Sequence, residues 1–419
     1  MLGLLLLVLP ALYAGLMGWL RGGWVGNEQF TINKEQLPVR NEQLPISSEQ
    51  LRGDAQLDDA KTAGVEIATA ASKGNCSLNQ CSLTFSVLIA ARNEAGSLPQ
   101  LLRDLAAQTL PATRFEVLIA DDHSTDATAA IIAAAALEAS FHLRLVRLPE
   151  GLGGKKAALH AALQQARAPW LVCTDADCRP GPGWLAAYAN LLGQQPTANF
   201  ISGPVLLTGP DSGFTTLMGL EFAGLVGVGA ACLNRQQPTM CNGANLAYRR
   251  ASFAAVGGFS SHAHVASGDD EFLLHAIHAA FPGSAYFLRD AAAIVRTAAP
   301  PTLRALLRQR VRWASKWRYY RSPAPRRLAL LVLGANGALA TGAVLLAWQP
   351  ALWPWVAGAW ALKLGGDVWF LGPVLRFFGR RRWLTGLLPL QLLYAPYALA
   401  VGLAGWRGVY EWKGRAITK

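Results

Sequence analysis

Asp175-Ala-Asp177 closes the apolar run Trp170-Leu-Val-Cys-Thr174, and in an extended strand its two carboxylates share one face. Such a pair can converge on a hard divalent cation, Mg2+ or Mn2+, that also holds a diphosphate and keeps water in its remaining positions. An isolated Asp-x-Asp is more often a turn or a helix cap, so its meaning depends on its surroundings. Two other apolar runs also end in polar clusters, Arg92-Asn93-Glu94 and Asp121-Asp122-His123-Ser124. Between them and the aspartates lies the turn Gly151-Leu-Gly-Gly-Lys155-Lys156, where a permissive backbone and a cation suit a diphosphate. Downstream come Asn242-Gly-Ala-Asn245, the acidic pair Asp269-Asp270 and the cationic, aromatic string Gln309-Arg310-Val-Arg312-Trp313.

The elements that must position these residues alternate. Strands are expected at 85–91, 115–120, 143–148 and 170–174, with helices at 97–108, 126–139 and 156–165, and a further helix at 271–280. Alternating strand and helix predicts an α/β domain with a mostly parallel sheet covered on both faces. Ligands of such sheets bind beyond the carboxyl ends of the strands, which is where all three polar clusters fall.

In this order the motifs resemble those of a membrane-bound family 2 glycosyltransferase with a GT-A fold. The resemblance rests on Ala91-Arg-Asn-Glu94, Asp121-Asp122, Gly154-Lys155, Asp175-Ala-Asp177, Asn242-Gly-Ala-Asn245, Gly268-Asp-Asp270 and Gln309-Arg-Val-Arg-Trp313, across about residues 84–320. It implies a nucleotide-diphosphate sugar donor, in the first instance a UDP-sugar, with Asp121 or Asp122 meeting the base and Ala91 and Glu94 lying along the nucleotide. Lys155 and Asp175 would serve the diphosphate, and Asp177 with Asp175 would hold Mg2+ or Mn2+. Asp270, supported by Asp269, would be the base that deprotonates the acceptor hydroxyl; the family's usual pair is Glu-Asp, so the first position departs conservatively. Gln309, Arg310, Arg312 and Trp313 would serve the acceptor and diphosphate end, Arg by charge-assisted bonds and Trp by stacking on a sugar ring. The competing reading of Asp121, Asp122, Asp269 and Asp270 is helix capping. One base and no enzyme nucleophile imply inversion at the anomeric carbon.

Composition supplies the setting. Of 419 residues 52% are hydrophobic and 15% charged, too apolar for an ordinary soluble enzyme. Residues 1–20 carry no charge and are long enough to cross a bilayer, and about three more spans are expected within 326–405, near 328–347, 351–374 and 384–405. Arg21 follows the first segment, so the positive-inside rule puts the 84–325 domain in the cytosol and the protein in the cell (inner) membrane as a multi-pass chain. Three later spans would leave the basic tail, 406–419, on the far side against that rule, which suggests that one segment is re-entrant or interfacial. Within residues 302–320 a basic, aromatic helix is expected at the membrane surface. Lys363 and Asp367, four apart in an apolar helix, read as an internal ion pair.

Residues 21–83 hold a heptapeptide repeat, Asn27-Glu-Gln through Ser48-Glu-Gln-Leu, whose Pro38 and Pro45 rule out a continuous coiled coil, leaving a low-complexity linker. Six cysteines without a CxxC pair fit a reducing compartment. The net charge of +12 raises nucleic acid as a partner, but no recognisable nucleic-acid module accompanies it. Two other functions are weighed against limited sugar transfer to a lipid or glycan. A processive polysaccharide synthase shares the Gln309–Trp313 motif but wants more spans for a polymer channel. A nucleotidyltransferase wants a Gly-rich loop after the first strand, where this chain has Ala91-Arg-Asn-Glu94.

Overall fold

A computed structural model describes residues 2–26, 83–259, 268–315, 322–407, 410–412 and 415–417. The heptapeptide repeats lie outside the described residues, as do the last residues of the expected 302–320 helix and part of the basic tail. The chain opens with helix α1 (Leu2–Val25), then β1 (Phe85–Ala91), α2 (Leu98–Ala106), β2 (Phe115–Asp121), α3 (Thr128–Glu138), β3 (His142–Arg147) and α4 (Lys155–Gln165). It continues through β4 (Trp170–Asp175), β5 (Cys178–Arg179), α5 (Trp184–Gln194), β6 (Phe200–Ser202), β7 (Val205–Thr208) and α6 (Gly213–Asn234). The remaining elements are β8 (Leu246–Arg249), α7 (Arg250–Ala255), α8 (Asp269–Ala280), β9 (Ala285–Phe287), β10 (Val295–Ala298), α9 (Leu303–Ala314), α10 (Ala324–Leu345), α11 (Trp353–Phe377) and α12 (Leu387–Arg407).

The main sheet runs β3-β2-β1-β4-β8-β6-β9. Strands β1 to β4 are mutually parallel, while β8 pairs antiparallel with both β4 and β6. Side chains alternate across it, as the two-residue period of a strand requires. Phe85, Val87 and Ile89 enter one apolar core with Val117 and Ile119, whereas Leu88, Leu118 and Leu171 enter the other. The second core continues without a break into Tyr13, Met17, Leu20 and Trp24 of α1 and Phe370 and Val374 of α11. One face of the sheet is thus roofed by α1, α6 and α11. A second, three-stranded sheet runs β5-β10-β7.

The expected α/β GT-A type architecture is present, with three corrections around it. Helix α1 continues past Leu20 to Val25, so residues 21–25 are not linker. Trp24 explains the extension: it is fully buried against Phe287 and Phe377, with the Arg289 guanidinium 4.9 Å from its ring. Second, α6 is a 22-residue apolar helix inside the 84–325 stretch, where the sequence reading placed no span. Third, helices long and apolar enough to cross a membrane are α1, α6 and α10, together with the bent pair Arg381–Tyr394 and Pro396–Ala404, which turns by 58°. Helix α11 stands where a span was expected, yet it is absent from that set and carries Lys363 and Asp367. These two form the expected ion pair at 2.7 Å, joined by Gln391 of α12 and by the Tyr13 hydroxyl of α1, which donates to Asp367 at 2.5 Å.

Candidate active site

The carboxyl ends of β1, β2 and β4 lie side by side, because β1 pairs in register with both neighbours: Ala91 opposes Asp121 and Ala90 opposes Asp175. At the end of β2, Asp121 and Asp122 are 6% and 2% exposed. Neither caps the next helix, since the residue before α3 is Ala127 and Asp126 accepts the Thr128 N–H at 3.0 Å. Asp122 instead accepts the Gly154 N–H at 3.0 Å and stands 3.8 Å from the Arg92 guanidinium. Buried Asp121 Oδ1 has no hydrogen-bond partner, an open acceptor in a place where an unmet one costs stability. The capping alternative fails for this pair, and Asp121 keeps an open acceptor at the strand end.

The backbone around them is shaped for a purpose other than regular structure. Asn93 and His123 hold φ near +53° and +52°, left-handed values uncommon outside glycine. Asn93 Oδ1 accepts the Thr125 N–H at 2.8 Å, tying the β1 end to the β2 end. The Glu94 N–H donates to Thr128 Oγ1 at 2.7 Å, and Ala91 carbonyl accepts the Asp122 N–H at 2.9 Å. Gly154, at φ +95°, turns the chain into α4 and brings Lys155 inward, a conformation that a side chain would strain.

Lys155 is the centre of the cluster. Its ammonium pairs with Asp175. A Cβ added to Gly243 would lie 3.4 Å from Lys155 Nζ and 3.2 Å from Asp270 Oδ2, so cation and acid approach the same glycine. Asp270 accepts the Gly243 N–H at 2.7 Å, which orients its carboxylate, and Lys156 Nζ lies 3.2 Å from Asp269. Burial works against the charge on Lys155, but Asp175, Asp270 and Asp269 outweigh it and hold its pKa above the ordinary value. Burial pushes Asp269 above the ordinary carboxylate value, with Lys156 pulling the other way and Asp270 adding to the rise. Helix α8 opens on Asp269 and Asp270 behind Gly268 at φ +90°; the pair occupies the first helical positions rather than the cap, where the helix dipole favours negative charge.

Asp175, Asp177 and Cys178 bring their ligand atoms within 4.8 Å of one another. The two carboxylates suit a hard divalent cation. Cys178 does not: a thiol is a soft ligand, and burial raises its pKa so that it stays protonated. Exposed Asp177 and half-buried Asp175 are the fitting donors, and Lys155 now occupies part of Asp175.

In the last sequence motif Arg310 is taken up by packing. Arg310 of α9 is 4% exposed and pairs with Glu221 of α6 at 2.8 Å, while the Tyr397 hydroxyl of α12 donates to the same carboxylate at 2.8 Å. Its guanidinium also donates to Gln309 Oε1 at 2.5 Å and lies 4.4 Å from the Trp313 ring, which in turn packs by Phe222. The expected place of Arg310 at the diphosphate therefore gives way to one in helix packing, because a buried guanidinium so engaged has no room for phosphate.

Several residues have roles that the sequence alone did not assign. Lys156 could have been found from its place beside Lys155, and Glu221 from being the single charge in α6. Asn245, fully buried, accepts from Trp184 Nε1 and Tyr188 Oη at 2.8 Å each and donates to Pro204 and Ala293 carbonyls at 2.8 and 2.9 Å, so its amide is fully paired. It fixes the 242–245 loop from which Gly243 reaches Asp270.

A mostly parallel α/β sheet with this acid, lysine and aspartate set at its strand ends defines a GT-A type glycosyltransferase. Residues 86–257 match the model of the glycosyl transferase family 2, and the chain carries a domain of that family. A beta-monoglucosyldiacylglycerol synthase of Nostoc sp. is 37% identical over 101 residues, 24% of this chain and 22% of that protein. An undecaprenyl-phosphate 4-deoxy-4-formamido-L-arabinose transferase of Shewanella sediminis is 36% identical over 98 residues, 23% of this chain and 29% of its own length. The matched region thus spans less than a third of either relative. Among solved structures, a mannosyltransferase from Pyrobaculum calidifontis in complex with GDP-Man and Mn2+ aligns over 77% of this chain and 88% of its own, at 23% identity and a TM-score of 0.49.

Proposed function

We propose that this glycosyltransferase is anchored in the cell (inner) membrane with its catalytic domain in the cytosol. It moves one sugar, with inversion, from a nucleotide-diphosphate sugar to a hydroxyl of a lipid or glycan. The observation that carries this reading is the convergence of Lys155 and Asp270 on the loop at Gly243, with Asp175 paired to the lysine. The relatives named for a glycolipid and for an undecaprenyl-phosphate sugar support a membrane-borne acceptor, and the apolar helices α1, α6 and α10 support the anchor.

In this reading Asp121 and Asp122 meet the base, and Ala91 and Glu94 lie along the nucleotide. Asp175 and Asp177 would hold Mg2+ or Mn2+, which when bound acts as a Lewis acid on the leaving diphosphate. Lys155 exchanges its bond to Asp175 for the diphosphate oxygens and neutralises them. Asp270, held by the Gly243 N–H with Asp269 beside it, accepts the proton of the acceptor hydroxyl. As that oxygen bonds to the anomeric carbon, the bond to the diphosphate breaks and the configuration inverts. Arg312 and Trp313 serve the acceptor end, and Gln309 and Arg310 hold α9 in place.

Membranes containing the protein, incubated with radiolabelled UDP- and GDP-sugars and Mn2+ or Mg2+, test the reading once lipid, oligosaccharide and polymer products are separated. One labelled lipid or oligosaccharide, abolished by EDTA, is expected. A long labelled polymer would instead make the protein a processive polysaccharide synthase, and release of pyrophosphate from a nucleoside triphosphate would make it a nucleotidyltransferase.

A further inference from the structure

A groove of about 1020 Å³ lies between α8 of the catalytic domain and the apolar helices α1 and α10, at the upper end of the volumes that ligand pockets reach. One wall is the face of α8 formed by Phe272, His275, Ala276 and Ala279, residues that recur at helical spacing from the turn after Asp269 and Asp270. The opposite wall is apolar, Leu16 and Trp19 of α1 with Leu328 and Leu331 of α10. Both of those helices are long and apolar enough to cross a bilayer, so this wall is made of candidate membrane spans. The rim holds Arg327, and no acidic residue lines the groove among the described residues.

The groove and the acidic cluster share a loop. Gln236 to Thr239 line the groove, and four residues later the Gly243 N–H holds Asp270. Two histidines staple this loop to α8: the His275 ring bonds the Thr239 backbone and the His278 ring bonds that of Gln236. Burial depresses both, His275 down to about 4, and among the described residues Arg327 is the permanent cation on the rim.

We propose that this groove binds the acceptor, and that the acceptor is a membrane lipid with an anionic headgroup, its chain against α1 and α10 and its charge at Arg327. The apolar wall matches a hydrocarbon chain, Arg327 on the rim matches an anion, and α8 leads from the groove to the candidate base. At 1.5 Å per residue, Ala276 lies only about 9 Å along the helix from Asp270, within the reach of a headgroup. This assignment rests on the glycosyltransferase reading above for its catalytic meaning but not for binding.

The test separates the two. The full chain is reconstituted in phosphatidylcholine vesicles doped with a diazirine-tagged phosphatidic acid, photolysed and mapped by mass spectrometry. Label concentrated on 272–280 and 324–331 is expected, displaced by untagged phosphatidic acid but not by added phosphatidylcholine, and lowered about tenfold in Ala276→Trp, which fills the groove. Arg327→Gln, a change at an exposed position that leaves packing intact, should lower it several-fold. Label spread evenly over outward residues such as Leu4, Leu5 and Leu330, or insensitive to both variants, would mean bulk lipid and overturn the site. In the transfer assay, Ala276→Trp should raise the KM for the lipid acceptor; labelling at the groove with an unchanged acceptor KM would overturn the acceptor assignment while leaving the glycosyltransferase reading intact.

Discussion

Replacing Glu221 by Gln isolates the contact that joins the catalytic domain to its helical roof. Arg310 is 4% exposed and Glu221 9%, and the guanidinium makes contacts of 2.8 and 3.2 Å to one carboxylate oxygen. The amide would keep the shape and remove the charge, leaving a buried cation whose desolvation is no longer offset. Breaking one side of a buried pair costs about 3–5 kcal/mol. Each kcal/mol moves the melting temperature of a large domain by about 2–4 °C, so a fall of at least about 6 °C is expected. Arg310→Met should lose a similar amount, but the double variant should lose much less than the sum, because no lone charge then remains. Tryptophan fluorescence during thermal unfolding in detergent reads all three, with Tyr397→Phe as a smaller fourth. Additivity within about 0.5 kcal/mol would refute the pairing. So would a Glu221→Gln variant as stable as the parent.

Further perturbations act on the site itself. Gly243→Ala puts a methyl 3.2 Å from Asp270 Oδ2, and because displacing a catalytic group by about 1 Å costs up to about a hundredfold, transfer should fall at least tenfold with the melting temperature little changed. Asp177→Asn should raise the Mn2+ concentration needed for half-maximal transfer about tenfold or more, as expected when one carboxylate donor is lost, without altering the fold seen by circular dichroism. Burial, with Asp270 adding to it, raises Asp269, so a carboxyl group titrating above the ordinary aspartate value is expected in the infrared difference spectrum and should vanish in Asp269→Asn; a parent spectrum without it would refute the burial of Asp269. Gly203→Ala drives a Cβ into the buried Asn245 amide and should destabilise by about 1–3 kcal/mol, read as a lower melting temperature.

Much of the catalytic half was legible from local pattern. Strand β1 runs over the expected 85–91, and β2 and β4 each extend by the one aspartate that ends them, because buried parallel strands are continuous apolar runs bounded by polar turns. The ion pair Lys363–Asp367 was legible for a similar reason: both partners sit one helical turn apart. What stayed hidden depends on distant partners. Strands β6, β9 and β10 have three or four residues each and are defined by pairing rather than by period. Helix α6 is rich in Gly and Ala and sits between two catalytic motifs, so its apolar run read as part of the soluble domain. Arg310 looked free for phosphate only because its carboxylate, Glu221, lies 89 residues away. The same holds for Asp122, whose partner on the Gly-rich turn no local pattern reveals.

Asp270, held by the Gly243 N–H beside Lys155 and Asp269, is the proposed base that takes the proton of the acceptor hydroxyl. The most direct measurement compares wild type with Asp270→Asn in the radiolabelled transfer assay, with binding of the nucleotide sugar followed in parallel. General base catalysis contributes about 10²–10⁴-fold, so transfer should fall by at least a hundredfold while the donor still binds. An Asn variant that keeps full transfer would contradict the account.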